Sequence, residues 1–337
     1  MTKRQKSVEA AIEDLVVTKG HVTSGEAARE AGVTRQAAYY HLRRLEQAGR
    51  LLREGLGRGS RYVLAVDHHA TYPLAGLNEA SVWMDVIDEV QALADAPRIA
   101  QRVVRFALTE MVNNAIDHSG GTTLELDVTS NTGFTFRVVD DGVGAFRHLS
   151  SRLGMDDVSA AFELTKGKRT TDPTRHTGQG IFFTSRIVDT FRLEANGVRL
   201  IVDNDLSDFA IGESNVRTGT TVWCEIDRDT QREPKRVFDE YTDSETLDFT
   251  KTRVALAALG GPSFISRAEA KRVADGLERF DEVIVDFSGV TDVGHAFADE
   301  LFRVWANAHP GTRLVPVSTS PVIDRLLNSV MRAGLSD

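Results

Sequence analysis

Glu110, Asn114 and His118 recur every four residues in the run TEMVNNAIDHS. That spacing puts a carboxylate, a carboxamide and an imidazole on one face of a helix. Three glycine-bearing patches follow. Asp140-Asp-Gly142-Val-Gly144 comes straight after a strand-like run, and Thr177-Gly178-Gln179-Gly180 opens an apolar helical run. Thr218-Gly219-Thr220-Thr221 starts another strand-like run. Glycine turns let the backbone approach a ligand closely, and glycines at a helix start expose N–H groups suited to phosphate oxygens. The amide oxygen of Asn114 is a hard ligand of the kind Mg²⁺ takes. Glu110 is placed to act as a general base on a water or hydroxyl. The Asp140 carboxylate can accept a hydrogen bond from an adenine amino group. Singly, each patch is weak, because such turns and helix faces arise without any ligand. Together they require a fold that gathers them at one place.

The chain has 337 residues, enough for two or three domains. Residues 1–66 read as helix, helix–turn–helix and β-hairpin, the order of a winged helix-turn-helix. The second helix fits SGEAAREAG with Ser24 as N-cap and Gly32 as stop; the third starts after Thr34. The third helix offers Arg35, Gln36, Tyr39, Tyr40, Arg43 and Arg44 to base edges and phosphates, with Leu42 and Leu45 facing the core. Arg58 and Arg61 stand on a glycine-rich wing suited to a minor groove. Charge agrees with this reading. The first 65 residues hold 12 Lys and Arg against 7 Asp and Glu, net +5, so the rest carries −14 of the total −9. A basic head on an acidic body points to DNA as the partner of the head alone.

Residues 75–228 read as two helices followed by strands, an α+β sandwich. The helical run after Gly180 extends through FFTSRIVDTF. Lys166, Lys168, Arg169 and Arg175 lie in a polar stretch before it, within reach of a γ-phosphate if that stretch closes. The join TQREPKRVFDEYTDSET reads as a linker. Residues 236–337 alternate βαβαβα. The fold class expected is multi-domain α+β. No apolar run reaches the 18 or so residues of a membrane helix, and the charged N-terminus has no signal-peptide core, so no membrane partner and a cytoplasmic location are expected. The single cysteine, Cys224, sits in TTVWCEI and is expected to be buried and inert.

The four patches resemble the N, G1, G2 and G3 boxes of the GHKL superfamily, whose members include histidine kinases, anti-sigma-factor serine kinases and gyrase. The resemblance implies ATP and Mg²⁺ as cofactors. Glu110 would be the base, Asn114 the Mg²⁺ ligand and Asp140 the adenine anchor. Asn113, His118, Gly142, Gly144, Gly178, Gln179, Gly180 and Thr220 would complete the nucleotide site. The first segment resembles MarR/GntR-like winged-helix regulators. VIVDFSGVTDVGHAFADELF resembles STAS-type domains, closest to a STAS-like family without settled function. STAS antagonists carry a phosphorylated serine where this chain has Val293-Gly294-His295-Ala296-Phe297, so phosphorylation there is not expected. Asp299 and Glu300 are read as residues at a helix start. The combination implies a DNA-binding regulator in which a GHKL pocket acts as an ATP switch coupled to the STAS-like domain. The alternatives are an anti-sigma-type serine/threonine kinase acting on a separate sigma or anti-sigma type partner, or a slow gyrase-like ATPase. A homodimer fits the regulator, since one short winged helix binds DNA weakly alone.

Overall fold

A computed structural model describes residues 8–47, 50–55, 60–131, 133–167, 179–206, 208–246, 248–259 and 261–333. The N-terminal unit contains α1 (Val8–Lys19), α2 (Ser24–Glu30) and α3 (Arg35–Gln47), then the antiparallel hairpin β1 (Leu51–Glu54) and β2 (Arg61–Leu64). Ile12, Val16, Ala27, Ala38, Leu42, Leu45, Leu51 and Tyr62 form its own buried core. Thr23, not Ser24, caps α2. Its hydroxyl accepts the Glu26 N–H, and the Glu26 carboxylate accepts the Thr23 N–H at 2.9 Å. The reason is local: only Thr23 has a glutamate three residues on to close a capping box.

The hairpin does not end in a loose linker. After three residues the chain enters β3 (His68–Pro73), the edge strand of the central sheet. Asp67 fastens this joint, since its N–H donates to Val128 O and its carboxylate accepts from Ser130 N–H and Oγ–H.

The middle unit follows with α4 (Glu79–Glu89), α5 (Gln91–Ala94), α6 (Arg98–His118), β4 (Thr123–Thr129) and β5 (Gly133–Asp140). Then come α7 (Ala145–Leu153), α8 (Asp157–Lys166), α9 (Gly180–Ile187), β6 (Thr190–Ala195), β7 (Val198–Asp203), β8 (Asp208–Glu213) and β9 (Thr220–Asp227). Seven strands form one sheet in the order β3-β4-β5-β9-β6-β7-β8, every neighbouring pair antiparallel. β5 alternates buried and half-buried residues, as a half-buried strand should. Val104, Ala107, Leu108, Met111 and Val112 of α6 are buried in the core they share with Leu124, Leu126, Phe134, Phe136 and Val138 of the sheet. α9 stops at Ile187, so the helical reading of FFTSRIVDTF is too long. Thr190 already pairs with Glu225 in the sheet. Cys224 is fully buried in β9, where burial pushes its thiol pKa up and leaves it unreactive.

The expected linker is partly a helix, α10 (Pro234–Tyr241), with proline at its first turn. Phe238 packs against Phe106 and Phe183, so the segment belongs to the core despite its polar composition. The C-terminal unit contains β10 (Lys251–Ala255), β11 (Ser263–Phe264), α11 (Arg267–Ala274), β12 (Glu282–Asp286) and β13 (Asp292–Val293). α12 (His295–Asp299) runs through a π-helical stretch, Glu300–Trp305, into α13 (Ala306–Ala308); β14 (Arg313–Val317) and α14 (Pro321–Ala333) end the fold. β10, β12 and β14 make a three-stranded parallel sheet. The helix begins at His295, one residue before the AFADELFRVWANA run expected to form it, so Asp299 lies a turn inside it and not at its first position. There Arg303 holds its carboxylate, with one contact at 2.9 Å, and lowers its pKa.

Lys166 corrects a further expectation. It does not reach toward a phosphate: it is fully buried between the middle and C-terminal units. Its ammonium pairs with Glu163 at 2.5 Å and donates to Asp275 O at 2.9 Å, while Arg279 lies 3.6 Å from Glu163. Burial lowers its pKa despite Glu163. Removing one member of a buried pair strands the other charge, which costs about 3–5 kcal/mol. Lys166→Met should therefore lower unfolding free energy by about that amount in urea titration. A loss under about 1 kcal/mol would mean that the pair does not hold the units together. Lys168, Arg169 and Arg175 lie outside the described residues.

Candidate functional site

Strand pairing joins two of the four patches. In the β5–β9 register Asp140 lies opposite Thr220. Asp140 Oδ1 accepts the Gly142 N–H at 2.9 Å and the Thr220 N–H at 3.2 Å. The side chain is buried, and burial is the main influence on it. It pushes the carboxyl pKa up against the pull of Gly142 and Thr220. A carboxylate offers about four lone-pair sites, so these donors leave capacity for one more. An exocyclic adenine amine is such a donor.

The glycines here are required by contact. A Cβ on Gly142 would run into the Ser119 carbonyl, and one on Gly219, at φ +67°, into the Asp140 carbonyl. Gly219 N–H donates to Gly142 O at 2.9 Å, tying the second patch to the fourth. Gly144, at φ +89°, opens α7, whose first N–H, from Ala145, donates to Thr220 Oγ1 at 3.0 Å.

The helix face and the third patch meet as well. Glu110, Asn113 and Asn114 are half-buried on α6. Gly180, the first residue of α9, lies directly over Glu110: a Cβ there would strike its carboxylate and stand 3.8 Å from Asn114 Nδ2. Gln179 caps α9, its carbonyl accepting the Phe183 N–H at 2.8 Å. His118 lies two turns further along α6, its ring 5.5 Å from that of His148 on α7. Gly178 lies outside the described residues.

A second candidate surface is the outer face of α3. Arg35, Gln36, Tyr39 and Tyr40 are exposed there, the two tyrosines at 44% and 61%. Arg43 pairs with Glu46 at 2.7 Å and Arg44 with Glu9 at 3.3 Å. Exposed pairs of this kind contribute little and yield readily to phosphates. Arg61, on the wing, pairs with Glu54. Arg58 lies outside the described residues.

A model of a histidine kinase-like ATPase domain matches residues 75–203. The middle unit is a histidine kinase-like ATPase domain. A helix-turn-helix domain matches residues 8–54, and a STAS-like domain of unknown function matches residues 269–324. No curated protein matches the chain. An ATPase-like domain implies nucleotide binding, and with the helix-turn-helix and STAS-like domains the chain is, in general terms, a DNA-binding plus ATPase regulator. No helix among the described residues is long and apolar enough to cross a membrane.

Several residues that shape the ATPase domain's site were not singled out by the sequence reading. Asn196, at φ +53°, accepts the Arg147 N–H at 3.0 Å and donates to Val143 O at 2.9 Å, bracing the Gly142–Gly144 turn. Its signal was present, for Asn196-Gly197 is a two-residue hairpin turn between β6 and β7. Asp141 accepts from the Thr122 hydroxyl at 2.6 Å and from the Thr122 and Thr123 N–H groups at 2.6 and 2.9 Å, which together lower its pKa. On the β3–β4 edge His69, Glu125 and Asp127 bring ligand-type atoms within 4.8 Å of one another. Arg137 already pairs with both carboxylates, so this group is an ion-pair ladder.

Proposed function

We propose that this chain is an ATP-binding, DNA-binding transcriptional regulator in which the ATPase-domain pocket works as a switch coupled to the STAS-like domain. The observation that carries the reading is the joint between units. The wing strand β2 passes through only three residues into β3, an edge of the sheet that bears Asp140 and Thr220. A rearrangement of the sheet around a nucleotide is thereby passed to the winged helix without a slack linker.

Asp140 would anchor adenine, Asn114 would hold Mg²⁺ through its amide oxygen, and Gly142, Gly144 and Gly180 leave room for close backbone contact. Bound Mg²⁺ supplies charge neutralisation for the phosphates. The polar groups fit this use: Asp140 keeps acceptor capacity in a buried place, and Asn114 and Glu110 meet under a helix start without a side chain between them. Both ligands place the protein's work in the cytoplasm. Calorimetric titration with ATP tests the pocket: binding that weakens when Mg²⁺ is removed agrees with it, and no heat at any concentration sinks it. On the DNA side, Arg43→Ala and Arg44→Ala should each lower the slope of log affinity against log salt by about 1, evenly across sequences. An unchanged slope would remove that residue from the phosphate contacts.

The juxtaposition of Glu110 and Gly180 favours one further reading, a serine/threonine kinase of anti-sigma type acting on a separate protein, with Glu110 activating the acceptor hydroxyl. Transfer of label from ATP to a protein in a cell lysate, lost in Glu110→Ala, distinguishes it from a switch.

A further inference from the structure

The two segments that flank residues 168–178 are held by one ring outside the ATPase match. Phe249 is buried just before β10. Its ring centroid lies 4.8 Å from that of Phe182 and 5.1 Å from that of Phe183, both on α9. On its other side it lies 5.4 Å from Phe280, two residues before the STAS-like domain's central strand β12. At the end of α8, a Cβ on Gly167 would meet Phe249 at 2.6 Å, so the ring and the chain are in close contact there too. Thr252 continues the same attachment, its hydroxyl donating to Lys166 O at 2.7 Å.

Phe182 and Phe183 are the third and fourth residues of α9, and Gly180 is its first. An eight-residue helix moves as a rigid piece, so whatever seats the two phenylalanines also sets how closely Gly180 approaches Glu110 and Asn114. Tyr241, 5.0 Å from Phe182, and Phe238, 4.1 Å from Phe183, close the remaining sides of the α9 packing. Packed aromatic contacts are discrete rather than continuously deformable, so a shift of the STAS-like domain at Phe280 has a direct path, through Phe249, into α9.

We propose that Phe249 is a positioning residue for the nucleotide site: it transmits the docking of the STAS-like domain to α9 and so sets nucleotide affinity. The proposal rests on the nucleotide reading above. By linkage, a nucleotide that draws Gly180 onto its phosphates favours the docked arrangement to the same degree.

The test is equilibrium binding of a fluorescent ATP analogue with Mg²⁺ to the full chain, carried out well below each variant's melting temperature. The variants are Phe249→Leu, which keeps an apolar side chain of useful volume, Phe249→Ala, and Leu327→Ala. Leu327 is buried on α14 in the STAS-like domain, which makes it a control for general destabilisation. The expected result is affinity about 10-fold weaker in Phe249→Leu, weaker still in Phe249→Ala, and unchanged in Leu327→Ala at a comparable drop in melting temperature. Wild-type affinity in Phe249→Leu overturns the proposal and leaves Phe249 an ordinary core residue. Equal weakening in Leu327→Ala overturns it too, because the effect would then be global stability. Failure of the wild type itself to bind removes the nucleotide reading, a different result from either.

Discussion

Asp140→Asn is expected to weaken ATP binding about 100-fold while leaving the melting temperature unchanged or raised. The two effects have one source. Burial raises the Asp140 pKa in the fold. A raised carboxyl pKa adds stability only where the proton stays on. That contribution is fully present below the ordinary carboxylate range and is lost as pH rises through the folded pKa. At neutral pH the ionised group therefore carries the burial cost, which asparagine does not. Asparagine can still accept the Gly142 and Thr220 N–H bonds, but it turns an amide N–H₂ toward the adenine amine, so two donors face each other. The same logic gives the pH profile: ATP affinity should fall on acidification at a higher pH than an ordinary carboxylate would require. Calorimetry and thermal melting on one sample check both. Affinity unchanged by the substitution would mean that Asp140 serves only the turn.

Glu110→Ala should reduce ATP turnover or phosphoryl transfer by about 10²–10⁴-fold with nucleotide binding retained, since general-base catalysis contributes about that much. Gly180→Ala should imitate it. The added Cβ collides with the far end of a flexible side chain, so the fold can yield while the Glu110 carboxylate is displaced from its seat. Gly142→Ala differs, because there the obstacle is the Ser119 backbone carbonyl, and loss of folding is the expected result. Single-turnover assays beside binding titrations separate these cases. Turnover that survives Glu110→Ala would assign the base elsewhere.

The site was more legible in the sequence than the sheet was. Four-residue spacing and glycine-bearing turns are local signals, and they marked Glu110, Asn114, Asp140, Gly142 and Gly180 before any strand order was known. What unites Asp140 with Thr220 is a register between β5 and β9, which brings together two residues 80 positions apart in the chain. No local pattern carries that. β3, β6 and β8 went unread for related reasons. His68–Pro73 ends in a proline and alternates weakly, as edge strands do. Thr190–Ala195 follows a helix so closely that its apolar residues continue the helical run. Lys166 shows the opposite failure, because charge at Lys166 predicts solvent, and its burial is explained by the Glu163 carboxylate, the Asp275 carbonyl and the Phe162 ring beneath its ammonium. The STAS-like attachment at Phe249 was invisible for the same reason as the sheet register: its partners, Gly167, Phe182, Phe183 and Phe280, are scattered along the chain.

The measurement that bears most directly on the account is DNA affinity of the full chain at one fixed salt concentration, with Mg²⁺-ATP, with Mg²⁺-ADP and with no nucleotide, using genomic fragments in an electrophoretic mobility assay. The account predicts retention of DNA in at least one state and a change of about 5–150-fold between states, the usual range of coupling between two sites. Equal affinity in all three states, with nucleotide bound, would contradict it: the winged helix and the ATPase domain would then share a chain without sharing a switch.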